Sequence, residues 1–71
     1  PDMPYSYAIE VKYCPRDAKD AEVEKLLEDA RMQLAQYVAC PKVQEKKGTT
    51  EIIAIALVFR GWDLVKFKQI S

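Results

Sequence analysis

The chain has 71 residues, 49% of them apolar and 31% charged, with a formal net charge of zero. That length allows one small domain with a modest core, and the composition is that of globular rather than disordered chains. It excludes a strongly basic nucleic-acid footprint, and the longest apolar run, Ile52 to Phe59, is too short for a membrane span.

Charge is nonetheless unevenly placed. Residues 1–40 carry five bases and eight acids, net −3, whereas residues 41–71 carry six bases and three acids, net +3. The basic set of Lys42, Lys46, Lys47, Arg60, Lys66 and Lys68 either faces phosphate or forms a solvated surface. Cys14 and Cys40 have neither metal-site spacing nor the number a disulfide scaffold needs, and the chain has no His. Free thiols and a reducing, cytoplasmic setting are expected. No signal pattern is visible, and the start at Pro1 is read as that of a piece of a longer protein.

In chain order, Tyr7 to Tyr13 is rich in β-branched and aromatic residues and stops near Pro15, which predicts a strand. A helix follows from Ala18 or Asp20 to Val38, with Asp17 and Asp20 as candidate caps and Pro41 as its stop. Its apolar positions, Val23, Leu26, Leu27, Ala30, Leu34, Tyr37 and Val38, recur at helical spacing and make one face. Lys42 to Thr50 reads as a polar loop. Ile52 to Phe59 is apolar at every position, which predicts a strand covered on both faces. Arg60-Gly61-Trp62-Asp63 reads as a turn into a last, antiparallel strand from Leu64 to Lys68. The sum is an α/β (α+β) domain in β-α-β-β order, one long helix on a small mixed sheet. Such a sheet has one face bare, to be covered by missing upstream chain or by a second copy.

Glu10 and Lys12 are two apart on the first strand, so they leave the same face, opposite Ile9, Val11 and Tyr13. Opposite charges on one face of a mostly apolar strand are unusual, because isolated buried charge is costly. A carboxylate beside a lysine suits metal-assisted phosphodiester hydrolysis: the carboxylate holds Mg²⁺, and the lysine orients or deprotonates the attacking water. A lone Glu-x-Lys is common by chance, and by itself the plainer reading is an exposed ion pair. Gln33 and Tyr37 are four apart on the helix, hence on one side, with Gln33 at the margin of the apolar face. A polar residue bordering a core face often marks a functional site, although by itself the plainer reading is a surface glutamine beside a core tyrosine.

Taken together, Ile9-Glu10-Val11-Lys12 on a strand and Gln33-x-x-x-Tyr37 on the following helix resemble the Glu-x-Lys and Gln-x-x-x-Tyr motifs of RecB-type PD-(D/E)xK nucleases. The strand Ile53-Ala54-Ile55-Ala56-Leu57-Val58-Phe59 and the Arg60–Asp63 turn are similar to a C-terminal domain of bacterial AAA-ATPase-like proteins. The resemblance implies a truncated restriction-endonuclease-like core, with residues 1–71 as the C-terminal part of a nuclease-like domain. It implies Glu10 as a metal ligand, Lys12 as the catalytic lysine, Gln33 orienting that lysine or touching the nucleic-acid backbone, and Tyr37 supporting the same helix face. The implied cofactor is Mg²⁺ or Mn²⁺, weakly held by this chain. The implied partners are nucleic acid (DNA above RNA) and an ATPase domain in cis, with a homodimer of the fragment as a further expectation. The family also requires an Asp from a preceding strand. Only seven residues, Pro4 among them, separate Asp2 from Glu10, which leaves little room for a strand and its return. Asp2 is therefore not expected to be that ligand, and the fragment is expected to be a poor nuclease. The alternatives are a noncatalytic DNA-binding or protein-interaction module, or an unrelated α/β domain that oligomerises.

Overall fold

The computed structural model describes residues 5–48 and 50–70. Five elements follow in order: β1 (Tyr5–Cys14), α1 (Asp20–Ala39), α2 (Pro41–Lys47), β2 (Glu51–Arg60) and β3 (Asp63–Gln69). The three strands form one mixed sheet in the order β1-β2-β3, with β1 parallel to β2 and β3 antiparallel to it. This is the α+β architecture the sequence predicts, a small mixed sheet under one long helix. Among the described residues, no helix is long and apolar enough to cross a membrane.

The parallel register pairs Ala8 with Ala54, Glu10 with Ala56 and Lys12 with Val58, so these side chains share one sheet face. α1 lies on that face. Its buried Ala30 and Leu34 pack on Ala54 and Ala56, while Val23 packs on Cys14 and Val58. Alanine on both sides of the contact brings the helix close to the sheet, and Leu26, Leu27 and Val38 close the edges of the two clusters. Both cysteines are free, Cys14 buried and Cys40 partly so.

Three local expectations are corrected. First, neither Asp17 nor Asp20 caps α1: the N-cap is Lys19, without a side-chain cap, and Asp20 instead pairs with Arg60 Nη1 at 2.9 Å. Second, the segment read as a polar loop contains α2. Cys40 takes the extended conformation required before proline, and Pro41 then starts a new helix at its N1 or N2 position, where its missing N–H costs nothing. Third, β2 is covered on one face only. Its other face, with Ile53, Ile55, Leu57 and Phe59, joins Tyr5, Tyr7, Ile9 and Tyr13 of β1 in an apolar surface that no described element covers. A strand apolar at every position predicts cover on both faces, but its second face lacks a covering layer among the described residues. Gly61 turns the β2–β3 hairpin at φ +62°, the left-handed conformation that glycine adopts without strain, and donates its N–H to the Cys14 carbonyl at 2.9 Å.

Candidate functional site

β1 is an edge strand, so its helix-facing side chains sit beneath the flank of α1, where solvent reaches them. Glu10 and Lys12 are half-buried there, with Lys12 Nζ 3.5 Å from Glu10 Oε2. Lys12 Nζ also donates to Gln33 Oε1 across the strand–helix seam at 3.2 Å. The three polar residues singled out in the sequence therefore converge, separated by 21 positions between Lys12 and Gln33 but joined through one ammonium group.

The donor arithmetic of this cluster is specific. A lysine ammonium has three N–H donors, of which one faces Glu10 and one Gln33, leaving one for a third partner. Gln33 accepts through Oε1, so its amide N–H groups are directed elsewhere and can donate to an anion. The cluster thus combines a carboxylate, a positioned cation and an amide donor beside an open cleft of about 380 Å³ lined by Glu10, Gln33, Ala8 and Tyr37.

Tyr37 is placed differently from the sequence expectation. It is one turn beyond Gln33 and lines the same cleft, but it is 51% exposed rather than part of the core. Leu34 and Val38 take the inward positions at the end of α1, and the tyrosine ring stands at the seam.

A second cleft, of about 290 Å³, adjoins the first and shares Ala8 and Tyr37 with it. Its outer wall is α2, which contributes Lys42, Lys46 and Lys47. The sequence grouped these three with Arg60, Lys66 and Lys68, and the structure sorts the set. Arg60 is held by Asp20, and Lys66 Nζ lies 2.8 Å from Glu24, which pushes the lysine up from its usual range. Lys47 donates to the Thr50 carbonyl at 3.1 Å. Among the described residues the side chains of Lys42, Lys46 and Lys68 make neither a hydrogen bond nor an ion pair. The signal in the sequence is Pro41, which is favoured at the first helical position and so marks a helix start as well as a stop.

The described residues do not by themselves fit a divalent metal ion. Mg²⁺ is usually held by one or two carboxylates together with phosphate and water oxygens. Glu10 is one carboxylate already facing Lys12, and no group of three or more His, Cys, Asp or Glu able to hold a metal exists among the described residues. Asp2, not expected from the sequence to be the second ligand, lies outside the described residues.

The sequence matches the family model of the PD-(D/E)XK nuclease superfamily over residues 1–69. No curated protein and no solved structure matches it significantly.

Proposed function

The chain belongs to the PD-(D/E)XK nuclease superfamily, and from that premise we propose that Glu10, Lys12 and Gln33 form the catalytic side of a centre that hydrolyses nucleic-acid phosphodiesters. One observation carries the reading: Lys12 is held between Glu10 and Gln33 with one donor to spare. In this arrangement Lys12 is fixed to meet the attacking water or a phosphate oxygen. Gln33 keeps the ammonium in place and offers its amide N–H groups to the same phosphate. Preorganised donors of this sort stabilise charge that develops in a transition state without reorganising at the moment of reaction.

Glu10 would be one ligand of the divalent ion on which the superfamily's chemistry generally depends, and a second carboxylate must reach it before the ion is firmly held. We therefore expect slow cleavage or none from these 71 residues, and Mg²⁺- or Mn²⁺-dependent cleavage from any longer form that supplies the second carboxylate. The RecB-like subgroup and attachment to an ATPase domain belong to the same proposal and rest on the resemblance of the Glu-x-Lys, Gln-x-x-x-Tyr and β2-turn segments.

The test is metal-binding calorimetry on Glu10→Ala and Lys12→Ala beside a cleavage assay on single- and double-stranded substrates. In a longer form that supplies the second carboxylate, Glu10→Ala should lose metal affinity and cleavage together, whereas Lys12→Ala should lose cleavage with metal affinity largely kept. A form that binds metal at Glu10 but cuts no nucleic acid would transfer the reading to a noncatalytic binding module.

A further inference from the structure

Lys42 and Lys46 are four apart on α2 and therefore share a helix face, where like charges repel each other. Among the described residues neither forms an ion pair, whereas Lys12, Arg31, Arg60 and Lys66 do. They line a cleft that runs into the Glu10–Gln33 cleft through the shared walls of Ala8 and Tyr37. The two clefts make one groove along the edge strand, cationic at one end and carrying the Glu10–Lys12–Gln33 cluster at the other.

We propose that this groove binds single-stranded nucleic acid, with Lys42 and Lys46 on backbone phosphates beyond the one at the Lys12 cluster and Tyr37 stacking on an unpaired base between them. The inference rests on the nuclease reading of Glu10, Lys12 and Gln33 and extends it to the substrate. Ser6, in the lysine-lined cleft, and Glu10 are four residues apart on β1, roughly 13 Å at ~3.3 Å per residue. That is about four nucleotides at the ~3.4 Å rise of a stacked strand. A half-exposed tyrosine between two phosphate-binding groups suits a single strand, because stacking needs a base free of its partner. With net charge zero over the whole chain, attraction to the backbone must come from such a local pair and not from a general field.

The experiment is fluorescence anisotropy with a short labelled oligothymidine and the full chain across a salt series. The variants are Lys42→Gln/Lys46→Gln and a control that removes two lysines at the opposite end of α1, Lys19→Gln/Lys25→Gln. Each phosphate contact on a single strand contributes about 0.7 to the slope of log affinity against log salt. The cleft variant should lower that slope by about 1.4 and weaken binding about 25-fold near 0.1 M salt, the difference closing toward about 1 M. The control should keep the wild-type slope. Equal losses in both variants, or an unchanged slope in the cleft variant, would overturn the groove while leaving the catalytic reading intact. Absence of any oligonucleotide binding by the wild-type chain would overturn both. Slope loss in the cleft variant combined with full cleavage by a Lys12→Ala enzyme would retain the groove and remove the catalytic assignment.

Discussion

Replacing Ala30 by leucine tests the packing that holds the site together. Ala30 has no exposed surface and sits over Ala54 and Ala56, which also have none. If room existed, the three added carbons would stabilise the fold by about 2.4 kcal/mol at ~0.8 kcal/mol per buried carbon. With alanine facing alanine, however, the added side chain has no space, and overpacking of this kind costs about 1–3 kcal/mol. The cost therefore wins. Total stability for a chain of this length is on the order of 4–10 kcal/mol, so the loss is a large fraction of it. In urea, with a slope near 1 kcal/mol per M for so small a domain, the unfolding midpoint should fall by about 1 M or more. The same change has a local consequence, because Gln33 is three residues further along α1. Its bond to Lys12 is 3.2 Å, and a lift of α1 by ~1 Å would carry it beyond hydrogen-bond distance. A raised urea midpoint would refute the close alanine packing on which this account of the site depends.

Other outcomes follow from the same structure. Gly61→Ala places a Cβ 3.2 Å from Arg16 Nε at φ +62°, so about 1–2 kcal/mol should be lost and the thermal midpoint should fall by at least ~4 °C; an unchanged midpoint would contradict the turn geometry. Hydrogen bonding from Arg31 holds the Glu28 carboxyl below its ordinary 4.5, so whatever the pair adds to stability is present above that value and lost as pH falls through the depressed one. Arg31→Ala should return the Glu28 titration, followed by NMR, to the ordinary range, and a titration that does not move would show the pair to be unformed in solution. The bare sheet face should drive self-association. Tyr5, Tyr7, Ile9, Tyr13 and Phe67 are exposed on it, and a contiguous open apolar face of this kind marks an interaction surface. Sedimentation should show a dimer that Ile9→Lys dissociates, and a clean wild-type monomer at high concentration would count against it.

The sequence reveals the frame of this fold because its strand and helix signals are periodic and strong. The alternating β1, the long amphipathic α1 and the Gly61 turn each carry their own local chemistry, and the polar pair at Glu10 and Lys12 stands out from an apolar strand. The convergence of Gln33 on Lys12 follows once α1 packs on the Glu10 side, because a residue at the margin of the apolar face must then border the strand edge. What misled was local ambiguity. Pro41 stops one helix and starts another, and an all-apolar strand looks the same whether one face or two are covered. Capping failed as a guide because Asp20 is drawn to Arg60, 40 positions away, a partner no local pattern reveals. Tyr37 has helical spacing with the core residues, yet it stands at the seam where the clefts meet.

The most direct test of the catalytic assignment is the cleavage rate of a Lys12→Ala enzyme, measured in a form of the protein that cuts and compared with the unmodified enzyme in the same metal. If Lys12 acts on water or phosphate from its position between Glu10 and Gln33, the rate should fall by about 10²–10⁴-fold while metal affinity at Glu10 is largely kept. Undiminished cleavage by Lys12→Ala would contradict the assignment.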